Sequence, residues 1–479
     1  MTQANGRFDV VVIGGGPAGE VVADRVVKAG LSAVVVEAEA VGGECSYWAC
    51  VPSKALLRPA AALGAARAVA GAREAVSGGP DPAGVLARRD AAVSNWSDAG
   101  QVEWLKGAGI ELARGHGRIA GERLVEVTGP GGEVRTLEAA HAVVVCTGTR
   151  ANLPPIEGLA ESGVWTSREA TAASRVPGRL AVIGGGVVAC EMATAWSGLG
   201  SRVTMLVRGD ALLTGWEPFA GESVARGLAE LGVDVRFGVS ATRVSRDSGT
   251  GEVTVTLDDG GTVTADELLV AAGRTPRTTD LGLERVLPGA DGGPLGVDDT
   301  CRVTAAEGGW LYAVGDANGR ALLTHMGKYQ ARACAAAIAE RAAGREPAAG
   351  TYAAWSAGAD HAAVPQVVFT SPEAASVGLT EHEARRRGMR VRVSEYPIGS
   401  VAGAYLHADD YAGHAKMVVD EDRRVIVGCT LVGPDVAELI HAATVAVVGE
   451  VPLDRLWHAV PAFPTVSEIW LRLLESYGL

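Results

Sequence analysis

The feature that most constrains this chain is a pattern it carries twice. The stretch RFDVVVIGGGPAGEVVADRVVKAGLSAVVVEAEA, starting at Arg7, reads as strand, tight turn, helix, strand. Its apolar run 10–13 suits a parallel strand buried on both faces. Gly14, Gly16 and Gly19 fit G-x-G-x-x-G. The first glycine permits the turn, the second lets the backbone approach a pyrophosphate, and the third lets helix and strand pack closely. The helix N-terminus then offers its N–H groups and dipole to phosphate. Glu37 ends the second strand, where a carboxylate can accept both ribose hydroxyls of an adenosine. Glycines alone also mark ordinary turns; here strand, helix, second strand and acidic tip agree, so a dinucleotide site is expected.

The second copy is RLAVIGGGVVACEMATAWSGLGSRVTMLVRGD, starting at Arg179. Gly184 and Gly186 hold the first two positions, and Ala189 stands at the third, which the fingerprint tolerates. Its second strand, 203–207, ends on Arg208 instead of a carboxylate. An arginine there can pair with the 2′-phosphate of NADPH, although a solvated surface arginine is the alternative. The reading favours NADPH, with NADH possible. Two cradles with different tips imply two different dinucleotides.

At 479 residues the chain is too long for one ordinary core, so two or three domains are expected. With 48% hydrophobic and 21% charged residues it has the balance of a globular protein. A net charge of −13 argues against a general nucleic-acid binder, which needs clustered Lys and Arg. The opening residues MTQANGRFDV show no basic segment followed by an apolar one, so no secretory leader is read. No uncharged apolar run is long enough to span a bilayer; the Ala-rich stretch after Lys54 is broken by Arg58 and Arg67. A cytoplasmic protein without a membrane partner is expected. Its seven cysteines are scattered and odd in number. In a reducing compartment a close pair is more often catalytic or metal-binding than structural.

One close pair exists, in GGECSYWACVPSK, residues 42–54. Cys45 and Cys50 are spaced Cys-x4-Cys, which is not a usual zinc signature, and no second pair accompanies it. His116 and His141 have no spacing that would complete a site, so no metal is expected. Pro52 suits the first turn of a helix, which places both cysteines near a helix N-terminus. The dipole there favours the reactive thiolate. Lys54 follows Cys50 by one helical turn. Tyr47 and Trp48, between the cysteines, either repack the pair's surroundings or fill a core.

Taken together, these segments resemble the class I pyridine nucleotide–disulfide oxidoreductases, the family of dihydrolipoamide dehydrogenase, glutathione reductase and mercuric reductase. The resemblance runs almost from end to end. GGECSYWACVPSK is similar to the family's redox box. CTGTRANLPPIEGL, with Thr147 and Gly148, LLVAAGRTP, with Gly273, and LYAVGDANG, with Asp316, resemble its FAD-contacting segments. VPQVVFTSPEAASVGLTEHEA, from Val364, resembles the opening of its dimerisation domain. The fold so implied is α/β: two Rossmann-like dinucleotide-binding domains, for FAD and NAD(P), plus a C-terminal α+β dimerisation domain. The FAD domain would cover 1–150 and 275–350, the NAD(P) domain 151–274, and the interface domain of a homodimer 351–479. The resemblance further implies FAD on the first cradle, with Asp316 bonding its ribityl chain, and the nicotinamide dinucleotide on the second. Electrons would pass from nicotinamide through FAD to a Cys45–Cys50 disulfide. Cys50 would face the flavin, Cys45 would exchange with substrate, and Lys54 would pair with Glu191 beside the flavin.

The chain departs from the family at one place. Where the family reads His-Pro-Thr-x-Ser-Glu, this sequence reads Phe463, Pro464, Thr465, Val466, Ser467, Glu468. Glu468 is kept as a candidate catalytic residue, but the base is gone. Acid–base catalysis is commonly worth roughly 10²–10⁴-fold, so the loss matters for thiol–disulfide chemistry. His458 could substitute; the acceptor could need no base, as with a quinone, a metal ion or a strained disulfide; or the flavin could pass electrons on directly, oxygen included. Tyr477 is the one late residue that could donate a proton, with a frayed chain end as the alternative. The expected function is FAD-dependent reduction, by NAD(P)H, of a small-molecule acceptor, or oxidation of a dithiol in reverse. The alternative within enzymes is a quinone, metal or oxygen reductase. A non-catalytic flavoprotein is disfavoured by the intact cradles, Lys54, Glu191 and both cysteines.

Overall fold

Both copies of the repeated pattern become a strand–helix–strand unit inside a parallel sheet. The computed structural model describes residues 6–479, so part of the stretch read for a leader lies outside the described residues. The chain divides into two units. The first holds the residues up to Val51, together with Val93–Ala151 and Arg274–His361; the second holds Pro52–Ala92, Asn152–Gly273 and Ala362–Leu479.

In the first unit the strands Glu111–Arg114, Ala33–Glu37, Gly6–Ile13 and Val134–Val145 lie side by side in that order, and Leu311–Ala313 adds to the last. All these neighbours are parallel, which suits their near-continuous Val-rich runs. Val10, Val11 and Val12 are fully buried. Each such side chain is worth about 1.5–3 kcal/mol against exposure. Val134–Val145 is longer than its neighbours because it also pairs antiparallel with Leu124–Thr128, which pairs in turn with His116–Gly121. The helix Pro17–Lys28 packs on the long helix Thr324–Ala342 at small residues: a Cβ on Gly327 would stand 3.6 Å from the Ala18 Cβ.

In the second unit the parallel sheet runs Asp234–Phe237, Arg202–Val207, Arg179–Ile183, Glu267–Val270. Its helix Val187–Gly198 is buried from Ala189 to Trp196. No polar stripe is legible in that helix because it is enclosed by one apolar core, which includes Leu56, Leu57, Val85, Val368 and Val432. An antiparallel sheet of five strands, Gln366–Val368, Glu373–Gly378, Val425–Gly433, His414–Asp420 and Val391–Pro397, makes up the C-terminal part. The helices Val436–Val448 and Ile469–Tyr477 pack against it.

A buried ion cluster ties this unit together. Lys416 Nζ lies 2.9 Å from Glu217 Oε2 and 2.7 Å from Glu381 Oε2, while the Glu381 N–H donates to Glu217 Oε1. Lys416 holds the Glu381 carboxyl below its ordinary range. That contribution is present above the ordinary carboxylate pKa and is lost as pH falls through the lowered one. Replacing Lys416 by Met leaves Glu217 buried without its counter-charge, so unfolding stability at neutral pH should drop by about 3–5 kcal/mol. Chemical denaturation measures it, and adding Glu217→Gln to the Lys416→Met protein should restore part of the loss.

Candidate active site

The first cradle is built by close backbone approach. Gly14 has φ of +107°, and a Cβ on Gly19 would stand 1.9 Å from the Gly14 carbonyl oxygen. Gly16 precedes the helix in an extended conformation, and no side chain caps it. Its first-turn N–H groups are therefore left to an anion. Glu37 reaches the tip as expected, with one oxygen accepting from Gly15 N–H and the other from Glu39 N–H, both at 2.7 Å. The second cradle repeats the arrangement with Gly184 at φ +133°, Gly186 before an uncapped helix, and Ala189 buried where helix meets strand. Arg208 is exposed just past Arg202–Val207. These residues fit a dinucleotide pyrophosphate at each helix start, and an adenosine ribose at the acidic tip of the first.

The cysteine segment is docked on the first cradle. Gly42 N–H donates to the Gly15 carbonyl at 2.8 Å, and a Cβ on Gly43 would stand 2.8 Å from the Gly16 Cα. Only glycine fits there, which explains the pair before Glu44. The two cysteines do not share a helix: Cys45 lies in the short helix Gly43–Tyr47, and Cys50 opens the helix Cys50–Arg67. The dipole argument from Pro52 therefore reaches Cys50 directly and Cys45 only by proximity.

Both cysteines stand as thiols, joined by one hydroxyl. Thr324, the first residue of its long helix, donates to Cys45 Sγ at 3.2 Å, and its Oγ1 lies 3.3 Å from Cys50 Sγ. The Cys45 thiol is pushed up, first by its hydrogen bond to Cys50 and then by burial, while Thr324 and Lys328 pull it down. Sequence reasoning missed Thr324, because nothing near it marks cysteines that lie 274 and 279 residues earlier. Tyr47 and Trp48 are core filling. Tyr47 is buried, its hydroxyl donates to the Val41 carbonyl, and its ring meets Trp48 edge-on beside Val93 and Trp96. Burial raises the Tyr47 hydroxyl to about 12.

A second network fixes the FAD-segment residues. Asp316 Oδ2 accepts from the Thr149 hydroxyl at 2.6 Å, and that hydroxyl accepts from Arg274 Nε at 2.6 Å. Arg274 and Arg277 both pair with Glu44, the neighbour of Cys45. Burial raises the Asp316 carboxyl. Thr147 donates to the Arg277 carbonyl at 2.7 Å, and Gly148 makes its turn at φ +68°. Glu44, Thr149 and Arg274 were missed too, although each lies inside or beside a segment singled out in the sequence. Gly273, at φ +97°, falls in the second unit and accepts from Asn152 N–H through its carbonyl.

The second unit brings Lys54 and Glu191 together. Lys54 Nζ lies 2.6 Å from Glu191 Oε2 and 4.8 Å above the Phe369 ring, while Glu191 Oε1 accepts from Phe369 N–H. Glu191 is buried. Glu468 is buried as well, but its oxygens are taken by Arg472 at 2.5 Å and by Ala402 N–H at 3.3 Å. Phe463 is 77% exposed, and His458 is exposed five residues before it. Tyr477 is not a frayed end: it is buried, its hydroxyl donates to Glu421, and Arg392 lies 4.5 Å over its ring. Among the described residues no group of three or more His, Cys, Asp and Glu is placed to hold a metal ion, and no helix is long and apolar enough to cross a membrane.

Thr324→Val removes the hydroxyl that supports the thiolate form of the pair. A hydrogen bond to a charged group is worth about 1.5–3 kcal/mol, so the midpoint potential of the cysteine pair should fall by about 30–60 mV. Titration in thiol–disulfide buffers, with free thiols counted, measures it.

Comparison with known proteins agrees with this geometry. Residues 8–339 match the model of the pyridine nucleotide-disulphide oxidoreductases, and residues 364–473 match that family's dimerisation domain. Dihydrolipoyl dehydrogenase 2 of Haloarcula marismortui is 32% identical over 466 residues, covering 96% of this chain and 94% of the relative. Glutathione reductase of Burkholderia cepacia is 31% identical over 474 residues, covering 97% of this chain and 98% of the relative. The fold is shared with the Cu(II) complex of the HOCl-induced flavoprotein disulfide reductase RclA from Escherichia coli, at a TM-score of 0.82 and 24% identity, over 98% of this chain and 99% of that one. With its two uncapped cradles and its paired thiols, the chain belongs to the pyridine nucleotide–disulphide oxidoreductase family, FAD-dependent enzymes that use NAD(P)H.

Proposed function

We propose that this enzyme takes electrons from NADPH and delivers them through the Cys45–Cys50 pair to a small-molecule acceptor, as a homodimer in the reducing cytoplasm. When bound, FAD and the nicotinamide supply hydride and electron transfer. The chain's residues do the rest. The two cradles hold the pyrophosphates at helix starts, and Glu37 and Asp316 orient the ribose and the ribityl chain. Lys54, held by Glu191, supplies a fixed cation. Cys50 is the flavin-side thiolate and Cys45 the exchanging thiol. The observation that carries this reading is the single Thr324 hydroxyl shared by both sulfurs, on a segment docked against the first cradle.

The acceptor proposed is one that needs no histidine base: a quinone, a metal ion or a strained disulfide. Glutathione and lipoamide, reduced by the ordinary proton shuttle, are not proposed.

Anaerobic titration tests the pair. The parent enzyme should take up about two equivalents of NADPH per subunit, one for the flavin and one for the disulfide, with a long-wavelength thiolate–flavin band. Cys50→Ser should take up about one and lose the band. Equal uptake by both proteins would sink the reading. Arg208 is tested separately. Arg208→Ala should raise KM for NADPH about 10- to 100-fold and leave kcat and the NADH kinetics nearly unchanged, as expected for loss of one charge-assisted phosphate contact.

A further inference from the structure

We infer that Lys328, set against Glu20, is the electrostatic partner of Cys45, supplying the positive charge that favours its thiolate. The inference rests on the reading of Cys45 as the exchanging thiol.

The geometry starts from Thr324. Its hydroxyl touches Cys45 Sγ at 3.2 Å, so the first turn of the helix Thr324–Ala342 faces the pair. Lys328 is four residues further on, and residues at this spacing lie on the same helix face. Long helical side chains lean back toward the N-terminus, which carries the Lys328 ammonium toward Thr324 and the sulfur. On the other side, the helix Pro17–Lys28 contacts this one where Gly327 meets Ala18, and Glu20 follows Ala18 by two positions. Lys328 acts on both Cys45 and Glu20, and Glu20 acts on Tyr47 of the cysteine helix. The group is therefore one cluster within the first unit.

The carboxylates nearest Cys45 are already committed. Glu44, on its own short helix, is held by Arg274 and Arg277. Glu37, at the strand end, is bonded to backbone N–H groups and raises Glu20. Cys50, the other thiol of the pair, raises Cys45. His325 and Arg332 lie on the long helix with Lys328. Burial pushes the Glu20 carboxyl up to about 7. Below that pH Glu20 is neutral and the Lys328 charge acts on Cys45 in full; above it, the carboxylate offsets that charge. The two residues thus move the Cys45 thiol in opposite directions.

The test is alkylation of Cys45 by neutral iodoacetamide in the NADPH-reduced holoenzyme, followed against pH by peptide mass, with flavin content as the check on folding. Lys328→Met should move the profile to higher pH by about one unit, and Lys328→Arg should leave it in place. Glu20→Gln should move it to lower pH. Both shifts should shrink in about 1 M salt, where the screening length is about 3 Å. A Lys328→Met profile that overlays the parent, or a Glu20→Gln profile that moves upward, overturns the inference while leaving the redox pair intact. A parent enzyme in which NADPH exposes no reactive Cys45 overturns the redox-pair reading itself, and this inference with it.

Discussion

The contact on which the redox segment depends is between backbones. Gly42 and Gly43 lie against Gly15 and Gly16, so close that a Cβ on Gly43 would collide with the Gly16 Cα. A peptide–peptide contact of this kind has no side chain to rotate away, so it sets position to a fraction of an ångström. It couples two chemistries at once. The cradle proposed to receive a pyrophosphate is the same surface that seats the cysteine helix. Any shift of one moves the other. Thr324 then closes the arrangement from the opposite side by bonding both sulfurs.

Polar groups are distributed around that contact by the same logic. Buried charges survive only where partners are fixed, because an unpaired one costs several kcal/mol. Asp316 is bonded by Thr149, Thr149 by Arg274, and Arg274 is paired with Glu44. The chain of contacts runs from the expected ribityl anchor to the residue beside Cys45. In the second unit, Glu191 is held by Lys54 and by Phe369 N–H, and Lys416 neutralises Glu217 and Glu381. These clusters keep charge in the interior without leaving a lone ion.

Much of this was legible in the sequence, and the limit has a physical cause. Both cradles were visible because strand, glycine turn and helix are local, and local order writes itself into consecutive residues. The fold class followed from the family resemblance that these repeats helped to carry. Lys54 and Glu191 were legible only through resemblance, since 137 residues separate them and no periodicity links them. Thr324, Glu44, Arg274 and Thr149 were not read at all: their importance lies in contacts across 125 to 279 residues, which a linear pattern does not encode. The dipole argument was right in kind and wrong in detail, because the break after Tyr47 gives Cys45 a helix of its own. Tyr477 was misjudged for the opposite reason: nearness to a chain end suggested fraying, whereas Glu421 and Arg392 hold it.

The missing histidine and the lysine inferred beside Cys45 are not equivalents, and their difference narrows the chemistry. A histidine near neutral pH both accepts and donates a proton. A lysine ammonium has three donors and no lone pair, so it takes no proton from a thiol. It favours the thiolate that attacks but does little for a leaving group that must be protonated. Acceptors whose reduced form departs without needing a proton from the protein therefore lose least by the change. A lipoamide-type dithiol run in reverse would lose most, since its own thiol needs a base before it can attack. The Phe463 that stands in place of a histidine is thus a ground for proposing reduction of acceptors rather than oxidation of dithiols.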